Sequence, residues 1–261
     1  MSSVGTVLSE IRRRHNLSQQ ALAMMAEVSP RHISFIETGR SQPSRAMLLR
    51  LSDVLGMSLQ DSNLLLHSGG FAAAYSALDI NSAAMRPVRE ALQMILDNHN
   101  PYPALVMDGN WNVLMSNTAQ QALANSVATS ADGPPSRNIL ELVFHPQGFR
   151  PYISNWEEVA GHLLRRLRRQ VQAYDRPPLR HLMSRLLAMD PPADWQQPSQ
   201  SHEGPMLSVH LLSPAGELRL FSTLAQFGTA LDVGMEELMI ESYFPVDQAT
   251  RDYFVTALVS N

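Results

Sequence analysis

The chain contains no cysteine, so disulfide bonds, thiol catalysis and metal sites built on thiolates are excluded. It also has no apolar run that approaches the ~18–20 residues needed to cross a bilayer, which predicts that no segment spans a membrane. The N-terminus lacks the charged and then apolar layout of a secretion signal. Together these absences predict a cytoplasmic protein with no membrane partner.

Motifs typical of active sites are also missing. The sequence has no Gly-rich phosphate loop, no Ser/His/Asp order and no paired-carboxylate signature, so we predict no enzyme and no catalytic residue. The nine histidines invite a metal or haem hypothesis. They are scattered, and no pair combines a short ligand spacing with carboxylates. His145 in VFHPQG is the most suggestive, and a loop or cap role is its simpler interpretation. The sequence thus predicts no metal site and no required cofactor.

The chain lacks lysine as well, and all 20 basic residues are arginine. Codon bias is the simplest explanation, although arginine also suits bidentate contacts to phosphate and guanine. The net charge of −4 hides an uneven distribution. Residues 1–67 carry seven Arg against five acidic residues, whereas residues 68–261 carry 13 Arg against 19 acidic residues. This distribution is typical of a small DNA-binding domain joined to an acidic sensor domain.

Residues 4–67 predict an all-α domain of five short helices separated by turn signals. A serine precedes four of these helices as a potential N-cap, namely Ser18, Ser29, Ser44 and Ser58. Pro30 follows its cap at the first helical position, where a missing N–H costs nothing. The third helix is predicted to stop at Gly39 and the fourth at Gly56, because glycine favours helix ends.

The segment LSQQALAMMAEVSPRHISFIETGRSQPS covers Leu17–Ser44 and resembles the helix-turn-helix of the XRE (phage repressor-like) family. Ile33 and Ile36 anchor the third helix to the core and leave its other face pointing outward. Glu27 replaces the usual turn glycine at a position that often favours positive φ, so we expect mild strain there. The resemblance implies a domain that binds double-stranded DNA.

The third helix of this motif is the one that enters the major groove. Arg31 suits guanine O6 and N7, and Phe35 suits a thymine methyl group. Gln19 begins the second helix, where repressors of this family bind the DNA backbone. The resemblance also implies that Arg12 and Glu37 pair internally. The predicted DNA-binding residues are Gln19, Pro30, Arg31, His32, Ser34, Phe35, Arg40, Ser41 and Arg45.

The remainder of the chain differs in character from residues 4–67. Residues 68–86 predict a partly helical linker, and residues 87–261 predict a second domain, with loops at 125–136 and 190–204. The predicted strands are Ala104–Met107, Asn112–Met115, Met206–Ser213, Glu217–Phe227 and Glu237–Phe244. Asp-Gly-Asn and Pro-Ala-Gly act as hairpin signals between them. An α+β domain with a five-stranded antiparallel sheet and helices on one face, as in PAS domains, fits this order.

Residues 86–259 resemble the ligand-binding domain of MmyB-like transcription regulators. The segments that carry the resemblance are YPALVMDGNWNVLMSNTAQQAL, RNILELVFHPQGFRPYISNWEEVAGHLLRRLRRQ and GELRLFSTLAQFGTALDVGMEELMIESYFP. The family places a PAS-like sensor behind an XRE domain. The resemblance therefore implies a small apolar ligand, with fatty acid the best-supported type.

Large apolar side chains of this second domain are candidates for lining a cavity between sheet and helices. A filled core is the alternative for each of them, and the sequence leaves both open. The predicted ligand-binding residues are Tyr102, Trp111, Phe144, Phe149, Trp156, Leu163, Leu167, Phe221 and Phe227.

The segment LLRRLRRQ, Leu163–Gln170, places four arginines around much of a predicted helix whose leucines are buried. A solvated face is the simplest interpretation of these arginines. A second contact with nucleic acid, and an arginine bonded to an anionic ligand head group, are the alternatives.

The leading hypothesis is a one-component transcription regulator with an XRE domain and a PAS-like ligand-sensing domain. The alternative is a regulator whose second domain only dimerises or binds a protein partner. One small domain makes few DNA contacts, so we expect a homodimer on an inverted-repeat operator. Tyr253, Phe254 and Leu258 on the last helix are candidates for the dimer contact.

Overall fold

A computed structural model describes residues 3–127, 136–174, 176–197, 206–228 and 230–259. The chain divides into two compact units. The first unit contains Met1–Met85 and Phe227–Glu237, and the second contains Arg86–Gln226 and Leu238–Asn261. The chain therefore passes from one unit to the other at three points, whereas the sequence predicted a single passage through a linker.

Five helices form the main body of the first unit within the part of the chain that the structure describes. They are α1 (Val4–Arg14), α2 (Gln19–Met25), α3 (Pro30–Glu37), α4 (Arg45–Val54) and α5 (Leu59–Ser68). Each begins after a serine whose side-chain oxygen accepts a hydrogen bond from the backbone N–H three residues later. The four predicted caps are confirmed, and Ser3 adds a fifth. Each cap satisfies one N–H that the first helical turn leaves without a partner.

The helices of the first unit share one core. Leu8, Leu22, Ile33 and Ile36 are fully buried within it. α1 approaches α3 so closely that a Cβ on Gly5 would lie 2.4 Å from the backbone oxygen of Glu37. The all-α prediction for this unit is confirmed, and the residues that anchor α3 are those that the sequence indicated.

Residues 69–85 contain no helix, so the prediction of a partly helical linker is wrong for them. Phe71 and Ala74 pack against the core of the first unit. The side chain of Asn63 accepts hydrogen bonds from the N–H groups of Ala74 and Tyr75 at 2.9 and 3.1 Å. Because backbone groups in this stretch find partners on α5, the stretch belongs to the helical unit and is not a spacer.

Residues 227–237 also fold within the first unit and contain a short helical turn at Val233–Glu236. Asp232 caps this turn, and its carboxylate accepts hydrogen bonds from Ser76 Oγ at 2.6 Å and from the Leu78 N–H at 3.1 Å. Burial raises the pKa of Asp232, but hydrogen bonds from Ser76 and from nearby backbone groups outweigh burial and lower it. Asp232 thus links residues 227–237 to the stretch that contains Ser76 and Leu78, which comes much earlier in the sequence.

Two further observations concern the same segment. Glu236 Oε2 accepts a hydrogen bond at 2.9 Å from the N–H of Leu59, the first residue of α5. A Cβ on Gly234 would lie 2.7 Å from the backbone oxygen of Leu78. The two backbone segments therefore approach so closely that only glycine fits at position 234 without a shift. Phe227 is the first residue of this segment, and its predicted place in the second domain is therefore wrong.

The second unit combines helices with a sheet. Its helices are α6 (Arg86–His99), α7 (Thr118–Val127), α8 (Ile139–Phe144), α9 (Trp156–Tyr174), α10 (Pro177–Leu187) and α11 (Gln248–Val259). Its strands are β1 (Ala104–Met107), β2 (Val113–Ser116), β3 (Ser208–Ser213), β4 (Gly216–Gln226) and β5 (Met239–Pro245). A 3-10 turn spans Arg150–Tyr152. Each predicted strand is present, β1 with the predicted bounds and the others with bounds that differ by at most two residues.

The five strands found among the described residues form one antiparallel sheet in the order β2-β1-β5-β4-β3. This confirms the predicted α+β domain with a five-stranded antiparallel sheet. On one face, Leu105 and Met107 of β1 pack in a cluster with Leu164 and Leu167 of α9. All four residues of β1 are buried, and α6 also packs against this strand. Helices therefore cover β1 from both sides, and the expectation that they would lie on one face is wrong there.

Parts of two predicted loops, at 125–136 and 190–204, lie outside the described residues. Of the first, residues 125–127 belong to α7. No helix in the described ranges combines the length and apolar character needed to cross a bilayer.

Candidate nucleic-acid interface and ligand cavity

The α2–turn–α3 segment presents one face of α3 outward. Ile33 and Ile36 are fully buried, whereas Arg31 is exposed and Ser34 is half-buried on the opposite side. Glu27 occupies the turn between the helices with φ of 51°, as expected from its place in the motif. Its carboxylate lies 2.5 Å from Arg50 at the surface.

Phe35 organises the cationic side chains on this face. The guanidinium carbon of Arg31 lies 5.0 Å from the centre of the Phe35 ring, and that of Arg40 lies 6.0 Å away. Cation–π contact uses the face of the guanidinium plane and leaves its N–H donors at the edge. The Phe35 carbonyl also accepts hydrogen bonds from the N–H groups of Arg40 and Ser41, at 2.8 and 3.1 Å. The loop after α3 is thus fixed next to the outward face of the helix.

A buried ion pair fixes α3 against α1. Arg12 Nε lies 2.6 Å and Nη2 2.9 Å from the two carboxylate oxygens of Glu37, and Arg12 Nη1 donates to the Leu17 carbonyl at 2.6 Å. Burial raises the pKa of Glu37, but hydrogen bonds from Arg12 and Gln19 outweigh burial and lower it. The hydrogen bond to Glu37 raises the pKa of Arg12 despite burial. The predicted internal pairing of these two residues is confirmed.

The second unit contains a cavity of about 310 Å³ between the sheet and the helices. One wall is the face of α9 that carries Val159, His162, Leu163 and Arg166, which lie three or four positions apart around the helix. The opposite wall is formed by alternate residues of β3, β4 and β5, whose side chains share one face of the sheet. The lining consists of Trp111, Gln120, Leu123, Ile139, Leu140, Val143, Phe149, Ile153, Val159, His162, Leu163, Arg166, Met206, Leu207, Val209, Leu211, Leu220, Ser222, Leu224, Glu241 and Tyr243.

Polar side chains meet on the sheet side of this cavity. Ser222 Oγ donates to Glu241 Oε1 at 2.7 Å, and the Tyr243 side chain is hydrogen-bonded to the same carboxyl group. Burial raises the pKa of Glu241, against the opposing influence of Ser222, Arg166 and Tyr243. Burial also raises the pKa of Tyr243 well above its usual value. Burial of a carboxyl group costs free energy, which hydrogen bonds from Ser222 and Tyr243 offset in part. A buried acid with a shifted pKa beside a cavity is a candidate functional group.

Trp111 connects the hairpin of β1 and β2 to the cavity. It has φ of 70°, a left-handed conformation that is uncommon for a bulky residue. Its ring is 1% exposed, its Nε1 donates to Gln170 Oε1 at 2.7 Å, and the guanidinium of Arg166 lies 4.4 Å from the ring centre. Strain of this kind persists only where the surroundings hold the residue in place, and here the strained residue contributes an aromatic ring to the cavity wall.

Comparison with known proteins gives two family matches. A helix-turn-helix family matches residues 8–62. The family described as "MmyB-like transcription regulator ligand binding domain" matches residues 88–255, nearly two thirds of the chain. The chain belongs to the MmyB-like transcription regulators. It is therefore a DNA-binding regulator with a ligand-sensing domain, and both matched domains are those of transcription regulators.

Other comparisons add little to the MmyB-like assignment. No curated protein matches the sequence. The PAS domain of BvgS from Bordetella pertussis is 13% identical over 67% of this chain and 96% of that chain, with a TM-score of 0.29. An RNA-binding light-oxygen-voltage receptor is 12% identical over 98% of this chain and 63% of that chain, with a TM-score of 0.26. Scores this low carry no argument about this protein.

The predicted DNA-binding residues of this MmyB-like regulator lie on α2, on α3, in the loop that follows α3 and at the first position of α4. Arg31, Arg40 and Arg45 are exposed. Pro30 is the first residue of α3 and supports its geometry. Gln19 differs from the others because its Nε2 donates to Glu37 Oε2 at 2.8 Å. One of its two amide N–H donors is thus engaged inside the domain, and its contact with DNA stays a prediction.

The ligand-binding residues predicted from the MmyB-like resemblance divide into two groups. Those in the cavity lining are Trp111, Phe149 and Leu163. Those that lie elsewhere among the described residues are Tyr102, Phe144, Trp156, Leu167, Phe221 and Phe227. Phe144 and Leu167 fill the core and are fully buried, while Phe221 stacks on Phe244 at 5.3 Å on the opposite face of the sheet. Large apolar residues serve core and cavity equally well, so composition did not separate them.

The sequence predicted a solvated face for the arginines of α9, but three of them contact other parts of the protein or line the cavity. Arg165 donates to the carbonyls of Trp195 and Gln197, and Arg168 lies over the Trp195 ring. Arg166 lines the cavity. Sequence reasoning missed Glu241, Ser222 and Tyr243, although an acid inside the apolar strand MIESYF was a usable signal.

Proposed function

We propose that this MmyB-like regulator is a cytoplasmic, sequence-specific transcription regulator that binds an inverted-repeat operator as a homodimer and responds to a small apolar ligand. The observation that carries the proposal is one chain with both an outward arginine-bearing helix α3 and a largely apolar cavity of about 310 Å³. A helix of this kind suits the major groove, and a cavity of this size and lining suits a small molecule.

Base recognition is assigned to α3. Arg31 is exposed, so its guanidinium donors are accessible to guanine. Its contact with Phe35 restricts the side chain before binding, which reduces the conformational entropy lost on binding. Arg40 and Arg45 lie beyond the end of α3 and supply charge for the phosphate backbone, together with Ser41. In this proposal Arg31 distinguishes one DNA sequence from another, whereas Arg40, Ser41 and Arg45 position the domain on the DNA backbone.

The size of the cavity limits the ligand. A cavity of about 150 Å³ holds one benzene molecule, so a cavity twice as large suits a ligand of roughly a dozen non-hydrogen atoms. Fatty acids of medium chain length fit this size, and the family resemblance makes fatty acids the first class to test. A cavity of this size argues against the alternative in which side chains fill the core of the second domain and the domain serves only to dimerise or to bind a protein partner.

The route of the signal follows from the chain path. β4 and β5 contribute Ser222, Leu224, Glu241 and Tyr243 to the cavity, and the segment that joins these strands, residues 227–237, folds within the DNA-binding unit. A ligand that binds more tightly when these strands adopt one arrangement would shift the population of that arrangement. The segment would transmit that shift to α5.

The DNA assignment is tested by measuring affinity for an operator and for random DNA. Arg31→Ala is expected to weaken operator binding by ~1–3 kcal/mol and to relax the preference at one base pair. Arg40→Ala is expected to weaken both DNAs alike and to reduce the salt dependence of binding. Arg251→Ala removes the same charge from an exposed site on α11 and serves as the control. Equal losses on both DNAs for Arg31→Ala would contradict its role in base recognition.

The sensing assignment is tested on the purified full chain by native mass spectrometry and by operator titrations with and without added fatty acid. We expect a small apolar molecule of fixed stoichiometry and a change in operator affinity when it is supplied. A chain that binds no small molecule, and whose DNA affinity ignores every added lipid, would favour the dimerisation or protein-partner alternative.

A further inference from the structure

The two ends of the cavity differ in chemical character. At one end, Val159 of α9 packs with Leu220 of β4 in a cluster of buried apolar residues. Arg166 lies on the same face of α9, about two turns or ~10 Å further along the helix. Its Nη2 lies 3.8 Å from Met239 Sδ, and Met239 pairs with Gln226, the last residue of β4. Because Leu220 lies in the first half of β4, the helix and the strand agree that the cation is at the opposite end from the apolar cluster.

Arg166 forms no ion pair with an acid in the described part of the chain. Its guanidinium lies 4.4 Å from the centre of the Trp111 ring and beside the Met239 sulfur, and both of these groups are uncharged. Burial lowers the pKa of Arg166 despite the attraction of Glu241, so its positive charge is incompletely compensated. A guanidinium nevertheless stays protonated in a protein. The cavity wall therefore contains a cation that an anionic group would stabilise.

Glu241 is the acid of the cavity lining in the described residues, and it leaves this cation available. Its carboxyl group accepts hydrogen bonds from Ser222 and Tyr243 and has no contact with Arg166. Burial raises the pKa of Glu241, which favours its uncharged form and reduces its repulsion of an anion.

We propose that Arg166 binds the anionic head group of an amphipathic ligand and that the apolar tail extends towards Val159 and Leu220. This inference rests on the proposed sensing function and adds the anchoring residue, the charge of the ligand and its orientation. A guanidinium suits the role because it forms short, charge-assisted hydrogen bonds to carboxylate oxygens. The side chains of Val159 and Leu220 cannot donate a hydrogen bond, so the reverse orientation would bury the head group without a partner.

The experiment titrates the intact chain with octanoate and with 1-octanol, which have similar tails, and measures both affinities by calorimetry. Since His162 is the other basic side chain of the lining in the described residues, the titrations are run at pH about 8, where an ordinary imidazole is mostly uncharged. Octanoate is expected to bind at least about tenfold more tightly than octanol. Arg166→Gln removes the charge and keeps a polar side chain, so octanoate should lose at least about tenfold while octanol changes by less than about threefold.

Arg168→Gln is the matched control. Arg168 belongs to the same helix and also lies over a tryptophan ring, 5.2 Å from the centre of Trp195, but it is outside the cavity lining found in the described residues. Both affinities of this variant should equal those of the wild type. A loss of octanoate affinity as large as that in Arg166→Gln would show that net charge attracts the anion, and would overturn the role of Arg166.

Orientation is tested on the wild-type chain with 2-bromooctanoate and 8-bromooctanoate, because bromine quenches the fluorescence of a nearby indole. Trp111 lies beside Arg166, so bromine next to the head group should quench Trp111 more than bromine at the end of the tail. Trp111→Phe identifies the part of the signal that Trp111 contributes. Equal or stronger quenching by 8-bromooctanoate overturns the orientation. This comparison locates the head group even if Arg166→Gln does not fold.

The outcomes separate the inference from the sensing function. Octanol binding to the wild type as tightly as octanoate, or an unchanged octanoate affinity in a folded Arg166→Gln variant, overturns the head-group site and leaves a sensor of apolar ligands. Failure of both compounds to bind overturns the ligand class proposed here and the apolar-ligand function of this cavity together.

Discussion

At the scale of single residues, the ion pair between Arg12 and Glu37 links two helices through charge in the core. The residues are 25 positions apart, and their side chains are only 9% and 5% exposed. A buried pair adds little stability over an apolar pair of the same shape, but the loss of one partner strands the other charge. Because Glu37 ends α3, the pair also sets the position of the helix that we propose to face DNA.

We therefore expect Glu37→Ala to destabilise the first unit by about 3–5 kcal/mol, since it leaves the Arg12 guanidinium buried without its carboxylate. The double variant Arg12→Ala/Glu37→Ala is expected to lose clearly less than the sum of the two single losses. Denaturant titrations of the four proteins in a double-mutant cycle measure the coupling.

The exposed pair of Arg50 and Glu27, with side chains 43% and 81% exposed, is the control. Its cycle should show a coupling below about 1 kcal/mol. Since the pKa of Glu37 is lowered in the fold, its contribution to stability is complete above the ordinary glutamate value of about 4.3 and is lost as the pH falls through the lowered value. Additive losses for Arg12 and Glu37 would show that the buried pair contributes no more than its exposed counterpart.

At the scale of elements, the helices of the first unit follow local rules and the segment at 227–237 does not. A serine cap, a proline at the first helical position and a glycine at the end act within a few residues, so sequence alone located α2 to α5 well. The cap that Asp232 provides looks the same in sequence as any other. Its bond to Ser76 joins positions that lie 156 residues apart, and no local pattern indicates it.

This contact predicts that Asp232→Ala destabilises the DNA-binding unit, although the residue lies far along the chain from it. Loss of charge-assisted hydrogen bonds from Ser76 and Leu78 is expected to cost about 1.5–3 kcal/mol. Hydrogen exchange at the amides of α5, read by mass spectrometry, reports the stability of that unit directly.

Asp247→Ala provides the comparison, because Asp247 accepts the Thr250 N–H at 2.8 Å at the start of α11 in the second unit. It should accelerate exchange in α11 and leave α5 unchanged. If Asp232→Ala leaves the protection of α5 at its wild-type level, the segment does not contribute to the stability of the first unit.

At the scale of the whole molecule, one recognition helix makes too few contacts for tight specific binding at cellular salt, which is why we propose a dimer. The candidate dimer contacts on the last helix need correction. Phe254 is 4% exposed and packs in the core with Leu220, and Tyr253 packs against the same cluster. The side chain of Leu258 lies outside the described residues. Phe254 is therefore not available for a dimer contact.

The dimer itself remains testable on the full chain. Sedimentation should give twice the monomer mass at micromolar concentration, and the operator should contain two half-sites about one helical turn apart. Insertion of about 5 base pairs between the half-sites turns them to opposite sides of the DNA and should weaken binding strongly, whereas about 10 base pairs should restore most of it. Monomeric protein, or indifference to the 5-base-pair insertion, would rule out paired recognition.

The sequence determined the elements whose causes are local or periodic. The serine caps, the spacing of Ile33 and Ile36, and the alternating strands led to the all-α and α+β domains. The turn at Glu27 and the pair of Arg12 and Glu37 followed from the XRE resemblance. The MmyB-like segments likewise led to the family that the comparison confirms.

Tertiary structure alone decided what depends on pairs of distant residues. Whether Trp111 or Phe144 borders empty space depends on how α8, α9 and the sheet pack, because both residues are equally apolar. The cluster of Arg166, Glu241, Ser222 and Tyr243 exists because one helix crosses two neighbouring strands. The return of residues 227–237 to the first unit depends on hydrogen bonds across more than 150 positions. Such contacts join residues that are far apart in the sequence, so the local sequence around one partner does not predict the other.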